Sequence, residues 1–138
     1  MTRPFHLAMP VADIAKAKHF YGEILGCRQG RSSETWVDFD FFGHQVVFHL
    51  DKGKQPEDVI NPVDSKHVPV PHFGVILKWQ DWEILAEKIK ANQIEFIIAP
   101  CIRFKDKSGE QGTFFIKDSN GLNLEFKTFK DDKMIFET

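Results

Sequence analysis

Three side chains that could bind one metal ion stand far apart in this sequence of 138 residues: His6, His72 and Glu125. Two imidazoles and one carboxylate form the 2-His-1-carboxylate facial triad, which leaves coordination positions open for substrate, water or dioxygen. No local spacing motif joins the three residues. A histidine taken singly is more often a surface or hydrogen-bonded residue than a ligand. A metal site here therefore requires a fold that brings distant strands together.

The elements that carry these side chains are predicted strands. Alternation of side chains in residues 5–11 and 72–78 puts each histidine on the face with less bulk, where the residue two positions on is Ala8 or Gly74. The opposite face of each strand is strongly apolar and is expected to pack on a helix. On the last predicted strand, 122–129, Glu125 shares the less apolar face, so the three side chains converge if the sheets curl toward one another.

The order of elements predicts an internal duplication. Residues 4–50 and 71–129 each read as βαβββ, with Asp13 and Asp81 as helix N-caps and a D-x-x-G turn before the last strand. The fold class is α+β: two tandem modules forming curved, mostly antiparallel sheets around a central cavity. Residues 51–70, rich in proline and charge, are predicted to connect the modules within a single domain, 1–138.

Composition excludes several classes of function. Hydrophobic residues make up 42% of the chain, enough for one globular domain with a core. The net charge is −2 with no basic run, so no nucleic-acid partner is expected. No apolar run approaches the ~18 residues of a membrane span, and the expected location is cytoplasmic. Cys27 and Cys101 are expected to be thiols rather than a disulfide.

Three segments carry a resemblance to a known family: FHLAMPVADIAKAKHFYGEILGC at the start, PHFGVIL in the second half and DSNGLNLEF near the end. Together they span nearly the whole chain, which resembles the vicinal oxygen chelate superfamily of glyoxalase I, fosfomycin-resistance thiol transferases and extradiol dioxygenases. The resemblance implies one divalent metal bound by His6, His72 and Glu125. Fe²⁺ or Mn²⁺ is favoured, with Zn²⁺, Ni²⁺ or Co²⁺ as alternatives.

One departure from the family pattern bears on the activity. Counting from the shared D-x-x-G places Val47 where Glu125 falls in the other half. Glyoxalase I normally has a fourth ligand there, usually Glu, and Val cannot coordinate a metal. This favours a three-ligand site. Gln45 and His49 share the strand face of Val47 and are reserve candidates as metal ligands or as partners of the ligands.

The favoured function is a ring-cleaving, extradiol-like dioxygenase acting on a small oxygenated, aromatic substrate. The alternatives are a glyoxalase-related lyase or isomerase, a fosfomycin-type thiol transferase, and a metal-free drug-binding protein. Four further residues are candidates for substrate binding, although aromatic residues in such positions are more often core: Arg103, Trp36, Phe48 and Phe115. The catalytic acid and base are not assigned. A homodimer is expected by family analogy.

Overall fold

The βαβββ pattern predicted for each half of the chain is present in the computed structural model, which describes residues 2–55, 57–63 and 66–138. The first half contains β1 (His6–Val11), α1 (Ile14–Ala17), a π-helix (Lys18–Ile24), β2 (Arg28–Ser32), β3 (Trp36–Phe41) and β4 (His44–Leu50). The second half contains β7 (Phe73–Leu77), α2 (Trp79–Ala91), β8 (Phe96–Arg103), β9 (Gln111–Lys117) and β10 (Asn123–Phe129). A hairpin of β5 (Val59–Val63) and β6 (Lys66–Val70) precedes β7, and a 3₁₀-helix (Asp132–Met134) follows β10. The α+β class is confirmed.

The two halves share one sheet topology. The strand order is β1-β4-β3-β2 in the first sheet and β7-β10-β9-β8 in the second. In each sheet the opening strand pairs in parallel with the last strand, and the other pairings are antiparallel. A duplication of one module accounts for this identity of order and direction.

The chain forms two compact units, and one turn from the second half of the sequence belongs to the first unit. The first unit comprises Met1–Glu57 and Asp118–Gly121, and the second comprises Asp58–Lys117 and Leu122–Thr138. The turn that belongs to the first unit is the D-x-x-G turn between β9 and β10. Among the described residues, no helix is long and apolar enough to cross a membrane.

The first helical segment begins as predicted, with the Asp13 side chain accepting a hydrogen bond from the Lys16 amide at 2.9 Å. It then widens into a π-helix, which the apolar spacing did not indicate. The segment stops before Gly26, whose φ of 73° suits glycine. The π-helix buries Tyr21 completely, with its ring 4.4 Å from that of Phe48.

The second helix buries four residues whose i, i+3, i+4, i+7 spacing in the sequence is typical of an amphipathic helix: Trp82, Leu85, Ala86 and Ile89. The predicted N-cap was wrong. Helix α2 begins at Trp79 and its N-cap is Lys78, so Asp81 lies inside the first turn. A carboxylate there interacts favourably with the positive end of the helix dipole, so an acidic residue marks the first turn as well as the N-cap position.

The segment predicted as a connector also contains a hairpin, which the sequence did not indicate. Val59–Val63 and Lys66–Val70 pair antiparallel as a separate two-stranded sheet. Both strands contain a proline, and Pro62 and Pro69 pair with His67 and Ile60. Proline is tolerated in such an edge arrangement but argues against a strand in a sequence pattern. Residues 56, 64 and 65 of the predicted connector lie outside the described residues.

Both D-x-x-G turns are confirmed. The Gly43 amide donates to Asp40 Oδ1 at 2.8 Å, and the Gly121 amide donates to the Asp118 carbonyl at 3.1 Å. Both glycines have a positive φ, of 91° and 86°. The register that each turn imposes decides which residues face one another in the two sheets.

Candidate metal centre

A histidine and a carboxylate face each other on neighbouring strands of the second unit. His72, just before β7, places Nε2 3.3 Å from Oε1 of Glu125 on β10. Both side chains are largely buried, with exposed fractions of 27% and 16%. Gly74 pairs directly with Glu125, and a Cβ on Gly74 would overlap the Glu125 carbonyl oxygen. The glycine therefore permits the close approach of the two strands that carry the pair.

Hydrogen bonds on the far side of each group fix its orientation. The Nδ1–H of His72 donates to the Pro69 carbonyl at 2.8 Å, because a carbonyl oxygen can only accept. The Thr113 hydroxyl donates to Glu125 Oε2 at 2.6 Å. The Phe115 ring stands edge-on to the imidazole, at 4.9 Å between centroids. With Nδ1 protonated, a neutral His72 presents the lone pair of Nε2 to the carboxylate.

Two acceptors at this distance repel unless a cation or a proton lies between them. Imidazole nitrogen and carboxylate oxygen are good ligands for borderline divalent metals. Ligating histidines usually donate their other N–H to a carbonyl or carboxylate, and ligating carboxylates are themselves hydrogen-bonded. The contacts of His72 and Glu125 match that pattern, so the pair fits a divalent metal.

His6, in the first unit, is oriented in the same way. Its Nδ1 lies 2.9 Å from Gln45 Oε1, and the amide nitrogen of Gln45 lies 3.3 Å from Asp38 Oδ2. Asp38 can only accept when ionised, so the Gln45 oxygen faces His6 and Nδ1 must be the donor. Gln45 therefore orients His6, and the Nε2 lone pair of His6 is the one that suits a metal.

The strand register supports the equivalence of Val47 and Glu125. Ala8, two residues after His6, pairs with Val47, as Gly74, two residues after His72, pairs with Glu125. Val47 is 8% exposed. The first unit therefore has an apolar side chain at the position of the carboxylate.

The other reserve candidate, His49, is less well placed. It pairs with Pro10 and Trp36 and is exposed. Four residues of strand separate it from Gln45, which is about 13 Å along β4. His6 and His49 therefore do not approach each other within the first unit.

Within each unit, the described residues contain no group of three His, Cys, Asp or Glu side chains that could hold a metal ion. The predicted ligands fall into two groups: His6 with Gln45 in the first unit, and His72 with Glu125 in the second. The three-ligand site stays a prediction.

A cavity of about 510 Å³ opens at the His72–Glu125 pair in the second unit. Its lining includes the predicted residues Arg103 and Phe115. The sequence did not point to four further polar lining residues: Lys66, Cys101, Thr113 and Lys127. The β9–β10 hairpin could have indicated two of them, because the register set by its turn pairs Phe115 with Glu125 and Thr113 with Lys127.

The remaining substrate-binding predictions lie in the first unit. Of the two interpretations of Phe48, pocket or core, the structure supports the core: the residue has no exposed surface and packs against Tyr21, 4.4 Å between ring centroids, and Phe39. It belongs to the aromatic core because its side chain points to the helix side of β4. Trp36 is partly exposed at the end of β3, opposite His49, and its role stays a prediction.

Comparison with known proteins finds one family whose members resemble this chain over nearly its full length. Residues 3–126 match the family model described as the Glyoxalase/Bleomycin resistance protein/Dioxygenase superfamily. A crystal structure of a glyoxalase/bleomycin resistance protein/dioxygenase from Alicyclobacillus acidocaldarius has 32% identity and a TM-score of 0.80, covering 98% of this chain and 97% of that one. None of the curated proteins matches this chain.

Two more distant structures share the fold. A glyoxalase/dioxygenase from Nostoc punctiforme is 20% identical with a TM-score of 0.69, over 94% of this chain and 92% of its own. A virulence protein from Salmonella typhimurium is 20% identical with a TM-score of 0.63, over 94% of this chain and 98% of its own.

Two βαβββ modules with the same strand order make this chain an α+β protein with an internal repeat. The chain belongs to the Glyoxalase/Bleomycin resistance protein/Dioxygenase superfamily.

Proposed function

We propose that this protein is a divalent-metal-dependent enzyme whose metal ligands are His6, His72 and Glu125. The observation that supports this most directly is the 3.3 Å approach of His72 Nε2 to Glu125 Oε1, with the far side of each group held by a hydrogen bond. His6 is oriented by Gln45 in the same sense. Family membership adds that the superfamily includes enzymes.

The chemistry follows from the donor set. A divalent metal with three protein ligands would supply Lewis-acid stabilisation of a developing oxyanion, or activation of dioxygen if it were Fe²⁺. The protein side chains supply positioning. Thr113 holds the Glu125 carboxylate, the Pro69 carbonyl sets the His72 tautomer, and the Phe115 ring covers one edge of the imidazole and limits access of water.

The first reaction to test is ring-cleaving dioxygenation of a small aromatic diol. A three-ligand site and the aromatic wall at Phe115 favour it. The assay is dioxygen uptake by the Fe²⁺- or Mn²⁺-loaded protein with catechol, with the His72→Ala variant as control. If the wild-type protein consumed dioxygen no faster than His72→Ala, ring-cleaving dioxygenation would be excluded.

A specific observation favours a second candidate, a lyase, isomerase or thiol transferase of the same superfamily. Extradiol enzymes use an acid–base histidine and tyrosine beside the metal. Tyr21 is the chain's one tyrosine, and its hydroxyl is buried against Asp118. Of the described residues lining the cavity in the second unit, His72 is the one histidine. Reactions that need only Lewis-acid stabilisation do not require these two groups.

The metal-free, drug-binding alternative predicts different behaviour. It gives no reason for both histidines to have Nδ1 hydrogen-bonded to an oxygen atom, the arrangement that is usual for histidines that bind a metal through Nε2. A purified protein that contains no metal, and that binds its ligand equally in chelator, would support that alternative instead.

Elemental analysis of the native protein beside two variants tests the metal site. We expect stoichiometric metal in the wild type and in His19→Ala, whose imidazole is exposed and bonded to Glu23. We expect loss of most of the metal in His72→Ala. Circular dichroism checks that each variant is folded. Equal metal in wild type and His72→Ala would exclude His72 as a ligand and refute the proposal.

Homodimer formation is also proposed, by family analogy. Sedimentation equilibrium measures it directly. If a dimer forms and shares its ligands between chains, mixing the His6→Ala and His72→Ala variants would restore part of the metal binding that each variant lacks. A protein that stays monomeric at all accessible concentrations would refute the proposed homodimer.

A further inference from the structure

Three polar side chains form a hydrogen-bonded series across the first sheet. It runs from Asp38 on β3 through Gln45 on the neighbouring β4 to His6 on β1. The side-chain nitrogen of Gln45 lies 3.3 Å from Asp38 Oδ2, and its oxygen lies 2.9 Å from His6 Nδ1. All three side chains line one cavity of about 470 Å³ in the first unit, so they share one face of the sheet. The series ends at the imidazole of a proposed metal ligand.

A glutamine cannot by itself decide which nitrogen of His6 carries the proton. Its side-chain amide presents either an oxygen, which only accepts, or, once rotated, a nitrogen, which only donates. If the oxygen faces His6, Nδ1 must donate and Nε2 keeps a lone pair. If the nitrogen faces His6, Nδ1 must accept and Nε2 carries the proton, which prevents Nε2 from binding a metal. The tautomer of His6 therefore depends on what lies on the far side of Gln45.

Asp38 lies on that far side, and its own position is fixed. An ionised carboxylate can only accept, so it binds the amide nitrogen of Gln45 and turns the amide oxygen toward His6. The backbone amide of Arg31 donates to the other carboxylate oxygen at 2.6 Å, where the pairing of β2 with β3 shifts register. A Cβ on Gly30 would overlap that same oxygen, so the glycine permits this approach. Backbone groups of β2 thus hold the carboxylate that orients Gln45.

We infer that Asp38 is a positioning residue: through Gln45 it sets the tautomer of His6, so that Nε2 has the lone pair. The inference rests on the proposed function in treating His6 as a metal ligand, whereas the tautomer is a property of the metal-free protein. The second unit needs only one step, because the Pro69 carbonyl that bonds His72 Nδ1 can only accept. A side-chain amide can be reversed, so it needs a further acceptor behind it.

The Asp38→Asn variant tests this role directly. The new amide oxygen can still accept from the Arg31 backbone, which leaves the new amide nitrogen to face Gln45. Gln45 should then reverse, and His6 should carry its proton on Nε2. Heteronuclear NMR of metal-free protein labelled at the histidine nitrogens identifies the tautomer at about pH 9, where imidazoles are neutral. Among the six histidines, the His6 signals are those missing from His6→Gln. We expect mainly the Nδ1–H form in the wild type and mainly the Nε2–H form in Asp38→Asn.

Two matched variants separate this role from a general effect of removing a charge. The double variant Asp38→Asn/Gln45→Glu exchanges the acid and the amide and keeps the net charge. Glutamate can only accept, so it should accept from His6 Nδ1–H and from the amide at position 38, and the Nδ1–H form should return. Asp40→Asn removes a carboxylate on the same strand that accepts from the Gly43 amide, and it should leave the tautomer unchanged.

Metal affinity provides a second measurement on the same variants. Competition with a chelating dye should show metal binding weakened about tenfold in Asp38→Asn, the lower end of the range for groups behind a ligand, because His6 and Gln45 are exposed. The double variant should regain most of this affinity, and Asp40→Asn should bind metal as the wild type does. Thermal unfolding confirms that each variant is folded.

The tautomer decides the inference, and it does so without metal. A wild type that is mainly Nε2–H, or a His6 that stays Nδ1–H in Asp38→Asn, would overturn it. A double variant that stays Nε2–H would also overturn it. These results leave the metal content of His72→Ala, and with it the proposed function, untouched. Conversely, a reversed tautomer with unchanged metal affinity would remove His6 from the ligand set and would support the role of Asp38.

Discussion

Removal of a single hydroxyl group, in the Tyr21→Phe variant, tests how the D-x-x-G turn of the second half is held. Tyr21 has no exposed surface, and its hydroxyl donates to Asp118 Oδ2 at 2.6 Å. Asp118 is itself 6% exposed, and its other carboxylate oxygen accepts from the Asn120 amide at 2.8 Å. Phenylalanine keeps the ring and its packing against Phe48, so the substitution removes the hydrogen bond with little other change.

The expected loss near neutral pH follows from the charge of the acceptor. Hydrogen bonds to charged groups contribute about 1.5–3 kcal/mol, and a buried carboxylate left with one partner fewer keeps its desolvation cost. We expect the free energy of unfolding of Tyr21→Phe to be lower by that amount. For a chain of this size the melting temperature should fall by roughly 5–10 °C.

The pH dependence gives the prediction its sign. Burial raises the pKa of Tyr21 well above its usual value, and the charge of Asp118 and its hydrogen bond raise this pKa further. An unfolded tyrosine ionises near pH 10, whereas the folded one keeps its proton. The unfolded state therefore binds fewer protons above about pH 10, and folding stability falls there by up to about 1.4 kcal/mol per pH unit. Tyr21→Phe lacks this loss, so its stability deficit should shrink as the pH rises.

Urea unfolding of both proteins at about pH 7 and about pH 11 measures the effect. Other groups that titrate in this range are common to both proteins and cancel in the difference. Phe39→Leu is a useful control in the same core: it should be destabilised by a similar amount at both values. A Tyr21→Phe variant as stable as the wild type at neutral pH, or a deficit that stays constant up to about pH 11, would refute the reasoning.

Three further predictions concern the second unit. Thr113→Val removes the 2.6 Å hydrogen bond to Glu125 and should weaken metal binding about 10–100-fold. Competition with a chelating dye measures the metal affinity. An unchanged affinity would mean that the Thr113 hydroxyl does not position the carboxylate. Gly74→Ala would push a Cβ into the Glu125 backbone and should cost about 1–3 kcal/mol of stability, whereas Gly53→Ala, with 3.8 Å of clearance, should stay within about 0.5 kcal/mol. Equal urea midpoints for these two variants would contradict the steric argument. Trp82→Phe removes the hydrogen bond that the indole N–H donates to a β10 carbonyl at 2.9 Å, and it should lower the free energy of unfolding by about 1 kcal/mol or more. A urea unfolding curve identical to that of the wild type would contradict this prediction.

Elements with strong local signals could be predicted from the sequence. Side-chain alternation predicted strands at Thr35–Phe41 and His44–Leu50, and the structure has β3 at Trp36–Phe41 and β4 at His44–Leu50. The glycine of each D-x-x-G turn has the positive φ expected for such a turn. These features depend on interactions within a few residues. The three segments that carry the resemblance to the family are likewise runs of adjacent residues, so the sequence alone was sufficient to indicate the family.

The sequence pattern did not predict three features of the structure, because the local residue types are also compatible with another structure. Prolines in both strands concealed the β5–β6 hairpin, because proline lacks the amide that a ladder normally uses. Apolar spacing cannot distinguish an α-helix from the π-helix at Lys18–Ile24, since both bury nearly the same face over two turns. Phe48 looked like a pocket residue because its side chain is aromatic, and only the position of Tyr21 shows that it points into the core.

By itself the sequence determined the modules, their family and the types of the three candidate ligands. Tertiary structure decided how those ligands are held, because their partners are distant in the chain: Gln45 beside His6, and Thr113 beside Glu125. It also brought Lys66, Arg103 and Lys127, from three different strands, around one cavity. A local pattern records the face on which a side chain lies, whereas the register of strand pairing decides which side chains meet across the sheet.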